Sequence, residues 1–411
     1  MTVQGEAMST PETVGLSSAR LQYIDKFLKT KYLDTRRLPC VLTLIERRGQ
    51  IAHCSALGQM DIERQRPITT DTVFRIYSMT KPLTSIAFMM LVEEGLIALD
   101  DPVHRYIPEW RDLPVYQAGQ AGAFRTRRTL RPMLVVDLLR HTSGLTYDFQ
   151  QRTNVDAAYR QQRLGVMGGA VPLAAMIEAL GKLPLEFSPG ESWNYSVSTD
   201  VLGFLIVKIS GEPFDEFLRK RLLRPLGMND TDFFVSEANR LRFAACYAAT
   251  PDGGMRLQDD PTASSYLRPP AYVSGGGGLV STAADYLRFC RMLRNGGSLD
   301  GMRFVSPKTL ALMTVNHLPG NKDLTEMSVS LFSEASYTGV GFGLGFAVTM
   351  DLARTLVPGT AGDFAWGGMA STYFWIDPRE ELITIFMTQL IPSATWPIRR
   401  ELRTLVYSAF Q

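Results

Sequence analysis

Ser78-Met79-Thr80-Lys81 opens a run, Lys81 to Glu94, in which Leu83, Ile86, Ala87, Met90 and Leu91 recur at helical spacing. Residues three apart at the start of a helix lie on one face, one turn above each other. The hydroxyl of Ser78 and the amine of Lys81 can therefore point into one pocket. A serine is a poor nucleophile until something takes its proton, and a desolvated lysine amine is one group able to do so. No other serine of the chain is followed three residues later by a lysine, and the chain has only nine lysines. Taken alone, the tetrapeptide reads more simply as a capping serine followed by a solvated first-turn lysine. Its surroundings decide between the two.

Upstream, Leu16 to Lys31 has the pattern of an amphipathic helix. Cys40 to Arg47 and Ile51 to Leu57 read as two strands joined by a turn at Gly49-Gln50. Downstream, Asp101 to about Pro270 is mostly helical with loops: Val135 to Arg140, Val171 to Leu180, Val201 to Ser210 and Phe214 to Leu223. The run Ser274 to Gly278, SGGGG, marks a tight irregular passage, and helices follow at Ala283 to Leu293 and Pro307 to Val315. The last third changes character, with strand composition at Phe342 to Met350, Thr372 to Ile376 and Leu382 to Thr388 and a closing helix from Trp396 to Phe410. Strands at both ends with helices between imply an antiparallel sheet built from the two termini, hence an α+β fold.

Composition narrows the function classes. The 411 residues are 45% hydrophobic and 20% charged, with net charge +2, which is ordinary globular composition. The one basic block, Arg125 to Arg131, reads as a solvated loop, because a nucleic-acid surface needs a broader basic face with aromatic platforms. Cys40, Cys54, Cys246 and Cys290 show no C-x-x-C spacing; Cys40 and Cys54 flank the first hairpin and read as reduced. His53, His104, His141 and His317 form no H-x-x-x-H pair, so no metal site and no cofactor are expected. The N-terminus shows no basic segment followed by an apolar stretch, and no apolar run is long enough to span a bilayer. A cytoplasmic protein with no membrane or nucleic-acid partner is expected, as monomer or homodimer.

Three further stretches change the reading of Ser78: LLRHTSGL (Leu138 to Leu145), FSPGESWNYSVSTDVLGFLIVKISGEPFDEFL (Phe187 to Leu218) and DFAWGGMASTYFWIDP (Asp363 to Pro378). Together with SMTK, in this order, they resemble the serine β-lactamase and penicillin-binding-protein superfamily. Within it, the specific likeness is to the class C β-lactamase-like esterases called family VIII carboxylesterases. The resemblance runs from roughly residue 15 to the C-terminus. It implies one β-lactamase/DD-peptidase-like catalytic unit over 1–411, with an α/β lobe at about 15–77 and 275–411 and a helical lobe at about 78–274.

The resemblance also implies roles. Ser78 is the nucleophile, Lys81 its proton acceptor or relay, and Tyr195 the catalytic tyrosine. The backbone N–H groups of Ser78 and Met369 form the oxyanion hole. Trp366, Gly367 and Gly368 stand where true β-lactamases carry Lys-Thr-Gly, and Val197 stands where they carry an asparagine. These four are expected to line the substrate site. Without that ammonium and that amide, the site favours small neutral esters, with weak turnover of some cephalosporins. Acyl transfer to another alcohol or amine, or hydrolysis of small amides, would use the same machinery; a non-catalytic acyl-binding or sensor protein would leave Ser78, Lys81 and Tyr195 without purpose. His141 reads as a loop-stabilising residue, and SGGGG, lacking any phosphate-loop pattern, as a flexible wall. No serine sits in G-x-S-x-G, which argues against an α/β-hydrolase.

Overall fold

The computed structural model describes residues 2–3, 6–165, 171–329 and 337–411. Helix α1 is Ser18–Leu28, capped by the Ser17 side chain accepting from Arg20 N–H. Strands β1 (Cys40–Arg47), β2 (Gln50–Asp61) and β3 (Arg66–Pro67) follow, then helix α2 (Thr80–Glu93). Helices α3 (Ser198–Ser210) and α4 (Ala283–Arg294) come next. Strands β4 (Val340–Phe342), β5 (Ala347–Thr349), β6 (Phe364–Gly367), β7 (Tyr373–Asp377) and β8 (Leu382–Met387) precede the last helix, α5 (Ile398–Tyr407).

One eight-stranded sheet has the order β4-β5-β6-β7-β8-β1-β2-β3, antiparallel throughout. The two ends of the chain meet where β8 pairs with β1, from Leu382 opposite Arg47 to Met387 opposite Leu42. The α+β architecture expected from the strand distribution is therefore present. All eight residues of β1 are buried. Alternation explains this: Val41 and Ile45 face a cluster with Leu21, Ile24, Leu28, Leu402 and Val406 of α1 and α5, while Leu42 and Leu44 join the cluster containing α2 and α4. Both faces of the sheet are covered, so its central strands lack a polar face.

Several sequence expectations need revision. Phe342 to Met350 is not one strand but the hairpin β4–β5, because Gly343 lies on the Met313 carbonyl and Gly345 takes φ +99°, which breaks the extended run. The stretch between α2 and the glycine run is not purely helical: Val115–Ala118 pairs with Arg125–Arg127, and Cys246–Ala249 pairs with Met255–Asp259 and with Leu390–Ile391. The basic block is therefore part strand, and two of its four arginines are engaged in ion pairs. Arg127 pairs with Glu191 at 3.0 Å and Arg131 with the fully buried Asp137 at 2.6 Å. Cys54 stands opposite Leu44 and Cys40 opposite Gly58, so the two cysteines are offset along the hairpin, and all four cysteines are free. Among the described residues no helix is long and apolar enough to cross a membrane, and no cluster of metal-ligating side chains occurs.

Candidate active site

Ser78 lies on a short 3-10 turn, Tyr77–Met79, that runs directly into α2. The turn is held from both sides. Ile76 N–H donates to Leu279 O (3.1 Å), Leu279 N–H to Thr80 Oγ1 (3.2 Å), and Tyr286 Oη–H to Met79 O (3.0 Å). Tyr77 has φ +44°, an uncommon conformation for a side-chain-bearing residue and one that clusters at functional sites.

In the first turn of α2, Lys81 is buried, not solvated. Its Nζ meets three oxygens: Ser78 Oγ at 3.3 Å, Tyr147 Oη at 3.0 Å and Gly276 O at 2.7 Å. Burial disfavours the ammonium and brings the lysine pKa down to about 7, against the pull of the Asp200 carboxylate. That carboxylate, itself buried, accepts from Ser274 Oγ (2.6 Å) and Gly276 N–H (3.0 Å), and so holds the segment whose carbonyl meets the lysine. Tyr147 and Asp200 carry no motif role of their own, and Gly276 is marked only as a member of the glycine run. The glycine run is a tight wall and not a flexible one: a Cβ on Gly276 would come within 2.6 Å of Asp200 Oδ2 and 2.7 Å of Tyr147 Oη.

Tyr195 precedes α3 and is nearly buried, with Lys81 Nζ 4.3 Å from its ring centroid. Burial pushes its phenol pKa up, while the Ser78 hydroxyl and the Trp366 indole N–H beside it pull the other way. Its ring sits 5.5 Å from that of Trp366 and 6.0 Å from that of Trp193, and Trp366 in turn packs edge-on to Phe342 at 5.1 Å. His141 donates or accepts at 3.2 Å to Ser196 Oγ, and burial followed by the Lys81 charge keeps its pKa well below the usual range. It braces the Tyr195 segment, as the sequence suggested, through Asn194 N–H bonded to its carbonyl.

Strand β6 brings the third motif alongside. Ser78, Tyr195, Trp366, Gly367, Gly368 and Met369 all line one cleft of about 720 Å³. A Cβ on Gly368 would come within 2.5 Å of Ile76 O, so only glycine lets this strand lie against the turn that carries Ser78. Val197 is corrected. It is fully buried outside the cleft lining, where its Cγ1 would lie 2.7 Å from a Cβ on Gly165, because the start of α3 turns it into the core. The cleft also contains cations that strand composition did not reveal. Arg399, Arg400 and Arg403 of α5 line it, Arg403 paired with Asp363 and Arg399 bonded to main-chain carbonyls.

The family described as "Beta-lactamase" matches residues 22–407. The chain belongs to the β-lactamase family. Among its β-lactamase-family relatives, Protein Rv1367c of Mycobacterium tuberculosis is 37% identical over 362 residues, covering 87% of this chain and 88% of that one. Esterase EstB of Burkholderia gladioli is 31% identical over 397 residues, covering 92% of each. The solved structure of EstCE1, described as a hydrolase with promiscuous acyltransferase activity, superposes with a TM-score of 0.77 at 26% identity, over 97% of this chain and 99% of that one. This β-lactamase-family chain is thus a family VIII esterase-like serine hydrolase or acyltransferase.

Proposed function

We propose that the protein is a carboxylesterase that hydrolyses short-chain esters through an acyl-enzyme on Ser78. The observation that carries this reading is the 3.3 Å approach of a buried Lys81 amine, its pKa brought to about 7, to Ser78 Oγ. A neutral amine has two N–H groups and one lone pair. The Gly276 carbonyl and the Tyr147 hydroxyl occupy the former, which leaves the lone pair for the Ser78 proton. As Ser78 Oγ bonds to the ester carbon, its proton passes to Lys81 and the carbonyl electron pair moves to oxygen. The N–H groups of Ser78 and Met369 receive that oxyanion.

Tyr195, kept protonated by burial, gives its proton to the departing alkoxide, and the Lys81 ammonium restores it. Water then attacks the acyl carbonyl by the same route in reverse, and Ser78 Oγ leaves with a proton. The aromatic side chains of Trp366, Tyr195 and Trp193 that line the cleft, with Phe342 packed behind Trp366, favour neutral, compact acyl groups over anionic β-lactams. Arg399 and Arg403 of the same cleft are already engaged, by main-chain carbonyls and by Asp363 respectively. An alcohol in place of water would make the reaction an acyl transfer, the promiscuous activity described for EstCE1. The testing experiment is a panel of p-nitrophenyl esters from acetate to palmitate beside nitrocefin, with Ser78→Ala as control. Rates highest from acetate to hexanoate, absent in Ser78→Ala, support the reading; nitrocefin turned over as fast as the best ester overturns it.

A further inference from the structure

Arg399 sits in the first turn of α5, whose Ile398, Leu402 and Val406 anchor the helix in the core. Its side chain is 8% exposed and reaches the cleft, where Nη2 donates to Gly368 O at 2.8 Å and to Thr372 O at 3.2 Å. Thr372 O also accepts from Gly368 N–H at 2.9 Å, so one guanidinium closes both ends of the turn that carries Met369. The fit is close: a Cβ on Gly367 would come within 2.5 Å of Nη2. On its other side the same turn rests on Ile76 O, two residues before Ser78.

In a trans peptide unit the C=O and the following N–H point in opposite directions within one plane. The Gly368 carbonyl and the Met369 N–H belong to one such unit. A cation that fixes the carbonyl toward α5 therefore fixes the N–H away from α5. Charge on the carbonyl side also polarises the amide and makes its N–H a better donor.

We propose that Arg399 is a positioning residue of the oxyanion hole: by holding the Gly368 carbonyl, it aims and strengthens the Met369 N–H. This rests on the reading of Ser78 as the acylated nucleophile. The Arg399 charge also lowers the pKa of Tyr195, a second route by which it favours proton transfer at the site.

The test compares wild type, Arg399→Gln and Arg399→Lys in two assays: p-nitrophenyl butyrate hydrolysis, and the rate at which diethyl p-nitrophenyl phosphate labels Ser78. The second assay places a phosphoryl oxygen where the oxyanion would sit. Removing an oxyanion donor outright costs about 10²–10³ in kcat, so misaiming one is expected to cost roughly 10–100-fold. Arg399→Gln should lose that factor in kcat with KM held within about threefold, and labelling should slow by a similar factor. Arg399→Lys, which keeps one cationic donor for Gly368 O, should recover part of both. A loss confined to KM, or labelling of both variants at the wild-type rate, overturns the positioning role. If Arg399→Gln does not fold, the Arg399→Lys labelling rate decides alone: slower than wild type supports the role, equal to wild type overturns it. Failure of wild-type Ser78 to take the label overturns the acyl-enzyme reading beneath it instead.

Discussion

The Nζ of Lys81 lies 3.0 Å from the hydroxyl of Tyr147, a residue 66 positions away that reaches the site from the loop after the His-Thr-Ser-Gly turn. This contact makes the environment of the lysine two-sided, with Ser78 in front and Tyr147 and Gly276 behind. Tyr147→Phe removes an acceptor that favours the ammonium, so the Lys81 pKa should fall and the acid limb of the rate profile should move to lower pH. Loss of the orienting contact should also lower kcat by roughly tenfold. A pH–kcat/KM profile of the variant checks both; a limb moved upward would contradict the assigned geometry.

The pH dependence of the native protein follows from the same lysine. In the proposed mechanism Lys81 is the base and must be unprotonated, and its pKa is brought to about 7 by burial. Activity should therefore rise with pH through about 7 and be lost below it, with log kcat/KM against pH approaching a slope of one on the acid side. Lys81→Ala and Tyr195→Phe should each lower kcat severely, and the double variant should be little worse than either, since the proposed mechanism has the two act as a unit. Steady-state kinetics of the three variants would show multiplied losses if the residues acted independently.

Gly368→Ala probes the contact between the third motif and the turn that carries Ser78. The added methyl would stand 2.5 Å from Ile76 O and would also meet Thr372 Oγ1, so the strand must shift away from Ser78. A displaced oxyanion donor should cost at least the roughly 10–100-fold expected for misaiming, and at most the about 10²–10³ in kcat that outright removal costs. Far-UV circular dichroism alongside the kinetics separates this local effect from unfolding.

Trp366→Lys would place an ammonium against the Tyr195 ring and remove the indole from its contact with Phe342. Ester hydrolysis should weaken, and any gain toward cephalosporins should stay small. The residue two after the tyrosine is Val197, which is buried away from the cleft and offers no amide group. Nitrocefin and p-nitrophenyl butyrate rates measured on one preparation decide the point.

Away from the site, the fully buried carboxylate of Glu46 on β1 pairs with Arg291 at 2.6 Å and with Arg294 at 2.8 Å, both on α4. Glu46→Ala leaves two largely buried guanidinium groups without this anion and should cost about 3–5 kcal/mol of stability. Urea denaturation followed by tryptophan fluorescence measures it, and a change under about 1 kcal/mol would show that Glu6, the other partner of Arg291, suffices.

What the sequence makes legible is mostly local. Ser78 and Lys81 are three apart on one helix start, so helical geometry alone brings them together. Strands β1, β7 and β8 carry β-branched and aromatic residues bounded by turns, and their placement at opposite ends of the chain points to a sheet closed by both termini. The side chains behind the lysine are not legible in this way. Tyr147, Asp200 and Gly276 come from three separate segments; only Gly276 stands in a marked run, SGGGG, and nothing in that run points its carbonyl at a lysine 195 positions away. Lys81 reads as solvated on the simplest view because burial of a first-turn lysine is set by what folds over it. Val197 sits beside a catalytic candidate in the chain yet faces the core, because the first turn of α3 rotates it there. Arg399 belongs to an ordinary amphipathic helix in sequence and becomes part of the cleft only when α5 packs beside β6.

The most direct test of the account is an acid-quenched pre-steady-state experiment. The protein is mixed with p-nitrophenyl butyrate, stopped within the first turnover at pH 7 and again at pH 5, digested, and mapped by mass spectrometry. The account expects a single butyryl group on the peptide containing Ser78, formed much more slowly at pH 5, where Lys81 is protonated, and absent from Ser78→Ala. A butyryl group on any other residue, or a p-nitrophenol burst of wild-type size from Ser78→Ala, would contradict it.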